Sequence, residues 1–156
     1  MRIVIDGDGS PIKSVATDVA GRYRLPVLIV TSIAHFTHQA CPAHVQMLYV
    51  DKGADLADFK IMSLLEATDI LITQDYGLAS LALTKATVLH HSGKRYTLDN
   101  IDVLLAQRYL NQKMRQAGKR VKGPRPFTAE QQQTFKESLI KTIESHFQKL
   151  KEKSDT

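Results

Sequence analysis

The chain has a single cysteine, Cys41. One thiol excludes an intrachain disulfide and fits a reducing compartment. No segment approaches the roughly 18 consecutive apolar residues of a membrane span. The opening residues lack a signal-peptide pattern, so a soluble, cytoplasmic protein without membrane association is expected. Internal repeats and low-complexity segments are also missing. The 156 residues suffice for one domain that buries roughly 68–70% of its unfolded surface, so no disulfide or metal is needed to fold it.

Acids are missing from one long stretch. None occurs between Asp102 and Glu130, a span that holds Arg108, Lys113, Arg115, Lys119, Arg120, Lys122 and Arg125. The net charge of +5 therefore hides an asymmetry. Residues 1–92 carry 7 Lys and Arg against 9 Asp and Glu, and residues 93–156 carry 14 against 7. An acidic first part joined to a basic second part suits an enzyme that holds cations in one place and polyanions in another. The bland alternative is a solvated basic face that aids solubility.

What is present alternates between two periods. Short apolar runs at 2–6 and 26–31 read as buried strands, and those at 45–50, 69–73 and 87–90 as three further strands. Between them, Ile12, Val15, Ala16, Val19 and Ala20 form one helical stripe. A helix over 54–67 is expected to pack through Leu56, Phe59, Met62 and Leu65, and a short one covers 78–85. Thr97 caps a helix of about 20 residues ending at Gly118, with Ile101, Leu104, Leu105 and Leu110 toward the sheet. Thr128 and Gln131 form a capping box for a last helix with Phe135, Leu139, Ile143, Phe147 and Leu150 on one stripe, and the residues after 150 are expected to fray. The expected fold is α/β: a doubly wound, mostly parallel five-stranded sheet at 1–92, with a basic helical C-terminal extension at 93–156, in one domain.

The candidate site begins at the first strand's end, with Asp6-Gly7-Asp8-Gly9-Ser10-Pro11. Ligands of open α/β sheets sit at the carboxyl ends of the strands. Ser10-Pro11 reads as a helix N-cap and first helical residue, and the Ser10 hydroxyl with the helix amides could touch a phosphate. Asp75 follows the fourth strand at the same edge, and Asp55 and Asp58 share one face of the helix after the third. Separately, Asp55 reads as a cap, Asp58 as a surface acid and Asp75 as the start of a turn. Together they form a carboxylate cluster suited to Mg²⁺ or Mn²⁺. Two such ions could activate a water and stabilise a leaving oxygen of a phosphodiester, while basic residues of the second part hold the strand. Ser10, Lys94, Arg95, Lys119, Arg120, Lys122 and Arg125 are the candidate phosphate contacts, with RNA the expected partner and DNA the alternative.

Five ordered motifs resemble the uncharacterised bacterial YaiI/YqxD family, whose domain is related to PIN-like nucleases. Asp6-Gly7-Asp8-Gly9-Ser10-Pro11 is similar to its D-A-D-A-C-P start, and Asp51 to Asp58 to its D-x-G-x-D-x-A-D. Thr73-Gln74-Asp75-Tyr76-Gly77-Leu78-Ala79 is similar to its T-Q-D-Y-G-L-A. Gly93, Tyr96, Thr97, Asn100 and Ile101 follow its G-x-x-Y-T-x-x-N-I, and Lys122-Gly123-Pro124 with Phe127-Thr128 its K-G-P and F-T. The resemblance implies a PIN-like fold with an acidic, metal-competent site at Asp6, Asp8, Asp55, Asp58 and Asp75. Gly7 and Gly9 stand where that family has alanine, and Ser10 where it has cysteine, which excludes a thiol role there.

Other functions compete. The aspartate pair also resembles the first motif of dehalogenase-type phosphatases, with Asp6 as nucleophile, Asp8 as acid/base and Thr73 as the second motif. The later acidic pair of that superfamily is missing, because the fifth strand ends in His90-His91-Ser92. A non-catalytic RNA-binding module on the same fold is the other alternative. His35, His38, Cys41 and His44 look like zinc ligands but crowd into one short loop, and are expected to be a polar loop instead. His90 and His91 could bind phosphate, shuttle a proton or form a turn.

Overall fold

The computed structural model describes residues 1–53, 55–120 and 127–155. In chain order the elements are β1 (Ile3–Asp6), α1 (Lys13–Arg22), β2 (Val27–Ser32), β3 (Val45–Val50), α2 (Leu56–Leu64), β4 (Ile70–Ile72), α3 (Tyr76–Ala82), β5 (Thr87–Leu89), α4 (Leu98–Gln116) and α5 (Ala129–Ser154). The five strands form one parallel sheet in the order β3-β2-β1-β4-β5. The central strands β1, β2 and β4 are mostly aliphatic and buried, as expected where helices cover both faces, whereas no residue of the edge strand β3 is fully buried.

Alternate residues of β1 serve the two layers. Ile3 and Ile5 pack with Ala16, Val19 and Ala20 of α1 and with Phe135, Leu139 and Ile143 of α5. Val4 packs on the other face with Ile61 of α2, Leu78 and Ala79 of α3, and Ile101 of α4. The C-terminal helix is thus a cover of the sheet rather than an appendage. Both predicted capping boxes are present, Thr97 with Asn100 and Thr128 with Gln131, and α4 stops before Gly118 at φ +77°.

Four expectations are corrected. Ile61 and Leu65 are buried on the α2 side, while Leu56 is 39% and Phe59 71% exposed. The segment is apolar nearly all round, so periodicity did not select its inner face; the crossover from β3 to β4 does. Leu110 is exposed, because among the α4 positions only Ile101 is buried and Leu104 and Leu105 are half-buried. The C-terminal residues stay helical to Ser154 instead of fraying after 150. Ser10 caps nothing: α1 begins at Lys13, with Ile12 in the N-cap position and no side-chain cap.

The strand order has a switch point. The chain runs β1, β2, β3 toward one edge, then crosses to β4 on the other side of β1. Helices α1 and α3 leave β1 and β4 on opposite faces. That divergence opens a crevice beyond the carboxyl ends of β1 and β4, where open α/β sheets bind ligands.

Candidate active site

Asp6 ends β1 at this crevice. Beside it, Thr73 follows β4 and is fully buried. Its hydroxyl donates to Asp6 Oδ2 at 2.8 Å and accepts the Asp75 backbone N–H at 3.0 Å. One side chain thereby sets the spacing between two of the candidate acids. It is also fully engaged and closed to solvent, which weighs against Thr73 as a phosphate-binding group of a phosphatase.

Asp75 caps α3. Its Oδ1 accepts from the N–H groups of Gly77 and Leu78 at 2.8 and 3.1 Å and lies 3.5 Å from Arg108 Nη1. All three contacts fall on Oδ1. Asp8 is held toward β2: its Oδ1 accepts from the Thr31 hydroxyl at 2.6 Å and the Ser32 N–H at 3.0 Å, with His35 Nε2 at 3.7 Å. Gly7 makes this possible. A Cβ there would lie 2.8 Å from Ile29 Cγ2 and 3.1 Å from the Val30 carbonyl oxygen, so a glycine lets the chain run flush against β2.

Asp55 and Asp58 arrive from α2, whose N-terminus faces the same edge because it follows β3. Asp55 occupies the N-cap position at φ +65° but makes no side-chain cap. A non-glycine residue in this conformation is uncommon and stores local strain. Asp58 sits in the first turn. The cap function assigned to Asp55 as a lone residue is therefore absent, whereas Asp75 does cap its helix.

All five aspartates (Asp6, Asp8, Asp55, Asp58 and Asp75) line one cavity of about 620 Å³, together with Arg108 and Arg115 of α4. Burial and neighbouring charge shift three of these carboxyls. Burial pushes Asp6 above the usual carboxylate value, as do Asp8 and Asp75, against the Thr73 hydrogen bond. Asp58 is pushed up to about 6 by partial burial and then by Asp75, Asp6 and Asp55, with Arg108 opposing. For Asp8 the burial cost is outweighed by the Thr31 hydroxyl, the Ser32 amide, His35 and Lys13, which hold it below the usual value.

Asp58 gives a prediction with a definite sign. Its folded value of about 6 lies above the ordinary 3.8, so the folded state binds the proton more tightly than the unfolded chain. The contribution of this group to stability is fully present below about pH 4 and is lost as pH rises through about 6. Asp58→Asn should therefore stabilise the metal-free protein near neutral pH by about 1 kcal/mol, a figure reduced for solvent screening. Thermal unfolding in EDTA across pH checks it: the gain should vanish below about pH 4.

The donor set suits a hard cation. Among the described residues the lining offers five carboxylates with the Gln74 carboxamide and the Tyr76 hydroxyl, and no thiol or imidazole; oxygen donors are the ligand chemistry of Mg²⁺ and Mn²⁺. Among the described residues, no group of three His, Cys, Asp or Glu side chains stands ready to enclose a metal ion. Mg²⁺ does not require one, since it keeps several waters and binds through one or two carboxylates. Asp69 shows what a structural acid looks like here. It is buried at the opposite edge, paired with Arg2 Nε at 3.1 Å and accepting the Glu66 N–H at 2.8 Å.

The basic candidates are more scattered. Lys94, Arg95, Lys119 and Arg120 are exposed and are not among the residues lining the acidic cavity. Lys122 and Arg125 lie outside the described residues. Ser10 is half-buried, its hydroxyl 3.4 Å from His91 Nε2. The cations that line the cavity are Arg108 and Arg115, which the sequence presents only as members of a basic run. Their spacing of seven, two helical turns on one face, was the available signal. In the histidine loop, His44 bonds the Thr17 carbonyl at 2.9 Å, His38 packs edge-on against Phe36, and Cys41 is exposed. No metal cluster forms there among the described residues.

Comparisons with known proteins agree with the motifs. The profile of the family described as "Uncharacterized BCR, YaiI/YqxD family" matches residues 4–145. A UPF0178 protein of Enterococcus faecalis is 52% identical over 144 residues, covering 92% of this chain and 97% of its own. UPF0178 proteins of Bacillus cereus and Bacillus anthracis are 48% and 49% identical, over 94% and 92% of this chain and 100% and 98% of theirs. No solved structure matches the chain. No helix among the described residues is long and apolar enough to cross a membrane. With a family profile spanning nearly its whole length and relatives matched end to end, the chain belongs to the YaiI/YqxD family.

Proposed function

We propose that the protein is a Mg²⁺- or Mn²⁺-dependent ribonuclease of PIN-like type that hydrolyses RNA phosphodiesters in the acidic cavity. The observation that carries this is the convergence of five aspartates from three strand ends on one cavity flanked by two arginines. Burial and then the neighbouring carboxylates raise Asp6 and Asp58, and a bound divalent cation would relieve the repulsion. Asp6 and Asp75 are the principal residues that would hold the ion, with Asp8, Asp55 and Asp58 next. When bound, the ion supplies an activated water and charge stabilisation at the phosphate.

The protein's own groups do the rest. Thr73 keeps Asp6 and Asp75 at fixed separation. Asp8, whose carboxyl the Thr31 hydroxyl, the Ser32 amide, His35 and Lys13 hold below the usual value, keeps a negative charge at the cavity. Arg108 and Arg115 are placed to bind phosphate oxygens, Arg108 being 56% exposed and 3.5 Å from Asp75. An arginine fork matches phosphate geometry better than a lysine point charge. Lys94, Arg95, Lys119 and Arg120 extend the contact along the strand.

Incubation of single-stranded RNA with the protein tests this. Cleavage should require Mn²⁺ or Mg²⁺ and stop in EDTA. Arg108→Ala with Arg115→Ala should raise KM by about tenfold or more and flatten the salt dependence of binding. Salt-sensitive RNA binding without cleavage under any metal would support the non-catalytic module instead. Transfer of a phosphoryl label to Asp6 would support the phosphatase.

A further inference from the structure

A second cavity, of about 520 Å³, adjoins the acidic one and shares Gln74 and Tyr76 with it. It lies between the β4 and β5 ends and the start of α5, and is also lined by His90, His91, Phe127 and Gln131. Nothing proposed so far uses it. His91 is 3% exposed, and its Nδ1 is buried with no hydrogen-bond partner among the described residues.

We propose that this cavity receives one unpaired base of an RNA strand whose adjoining phosphate lies over the aspartates. The inference rests on the ribonuclease proposal above. The histidines add little charge: burial, then His90, pushes His91 down to about 4, and burial, then Lys94, also lowers His90. What lines the space instead suits a flat heteroaromatic ring. Tyr76 and Phe127 offer stacking surfaces; the Gln74 amide donates to the Gly9 carbonyl at 3.3 Å and the Gln131 carbonyl accepts the Thr128 N–H at 2.9 Å, which leaves the Gln74 carbonyl and the Gln131 amide to meet base edges.

The platform is held in place. Tyr76 packs edge-on against buried Tyr96, at 5.9 Å between centroids, and Tyr96 donates its hydroxyl proton to the Thr73 carbonyl at 3.2 Å. His90 Nδ1 accepts the Ser92 N–H at 3.0 Å, which places its remaining proton on Nε2 as a donor. Ser138 of α5 donates to the Gly93 carbonyl and ties this loop to the sheet cover. Gln74 and Tyr76 flank Asp75 in sequence, so a base seated here has its backbone at the carboxylates. The volume lies within the roughly 300–1,000 Å³ of small-molecule pockets.

The test compares two oligonucleotides of equal length and charge on the full-length protein. One is a short single-stranded RNA, and the other carries abasic riboses in place of nucleotides. Affinities are measured by fluorescence anisotropy, in EDTA and in Ca²⁺. The intact strand should bind about tenfold more tightly, the scale of one stacked base, and Tyr76→Ala should bring the two close to equality. Gln131→Ala, which also removes the carboxamide half of the α5 capping box, should reduce the ratio, with the melting temperature checking that the fold is kept. The wild-type comparison needs no variant at all. Equal affinity for both strands overturns the base pocket while leaving the ribonuclease proposal standing. Binding of neither strand overturns both. Cleavage that survives Asp6→Asn alongside a retained intact-over-abasic preference overturns the carboxylate mechanism alone.

Discussion

Asn in place of Asp6 is expected to lower metal-dependent RNA cleavage by about 10²–10³-fold, the scale on which one charged or hydrogen-bonding group at a transition state is felt. The substitution keeps the side chain's shape and its ability to accept from the Thr73 hydroxyl, which lies 2.8 Å from Asp6 Oδ2. It removes the charge that a cation needs. Asp6 is held above the usual carboxylate value by burial and by Asp8 and Asp75, so the neutral amide also relieves repulsion. Thermal stability in EDTA should be unchanged or slightly higher, which separates lost chemistry from lost folding. Asp75→Asn should act in the same direction, although Asp75 also caps α3 and its loss carries a small stability cost. Cleavage that persists in both variants would remove the carboxylate cluster from the mechanism.

The second large effect concerns the fold. Phe135→Ala should destabilise the protein by about 3–5 kcal/mol, through lost transfer free energy and the cavity left behind. Phe135 is fully buried with Leu139 and Ile143, against Ile3, Ile5 and Leu89 of the sheet. For a chain of this length the melting temperature should fall by roughly 10 °C. Gly93 also leans on this site: a Cβ there would lie 3.2 Å from Phe135 Cα. Chemical denaturation gives the free energy directly. A loss below about 1 kcal/mol would mean that α5 merely rests on the surface, as a detachable basic extension would.

Much of this was legible in the residues because parallel sheets write a strong signal. Strands buried on both faces read as unbroken aliphatic runs, and aspartates directly after β1 and β4 point to the carboxyl edge. Thr97 and Thr128 announced their helices because capping is local chemistry. The inner face of α2 was not legible: Leu56, Phe59, Ile61 and Met62 surround the helix, and only the crossover decides which are covered. Ser10-Pro11 imitated a cap that the chain forms two residues later without any capping side chain. The grip of Thr31 and Ser32 on Asp8 depends on strand pairing between distant segments. The pairing of Arg108 with Asp75 depends on where α4 crosses α3, which no local pattern encodes.

Anomalous diffraction from crystals soaked in Mn²⁺ tests the central claim most directly. A ribonuclease site of this kind predicts a manganese peak inside the cavity lined by Asp6, Asp58 and Asp75, and its loss in Asp6→Asn crystals. A peak only elsewhere, such as at the loop holding His35 and His38, would contradict it.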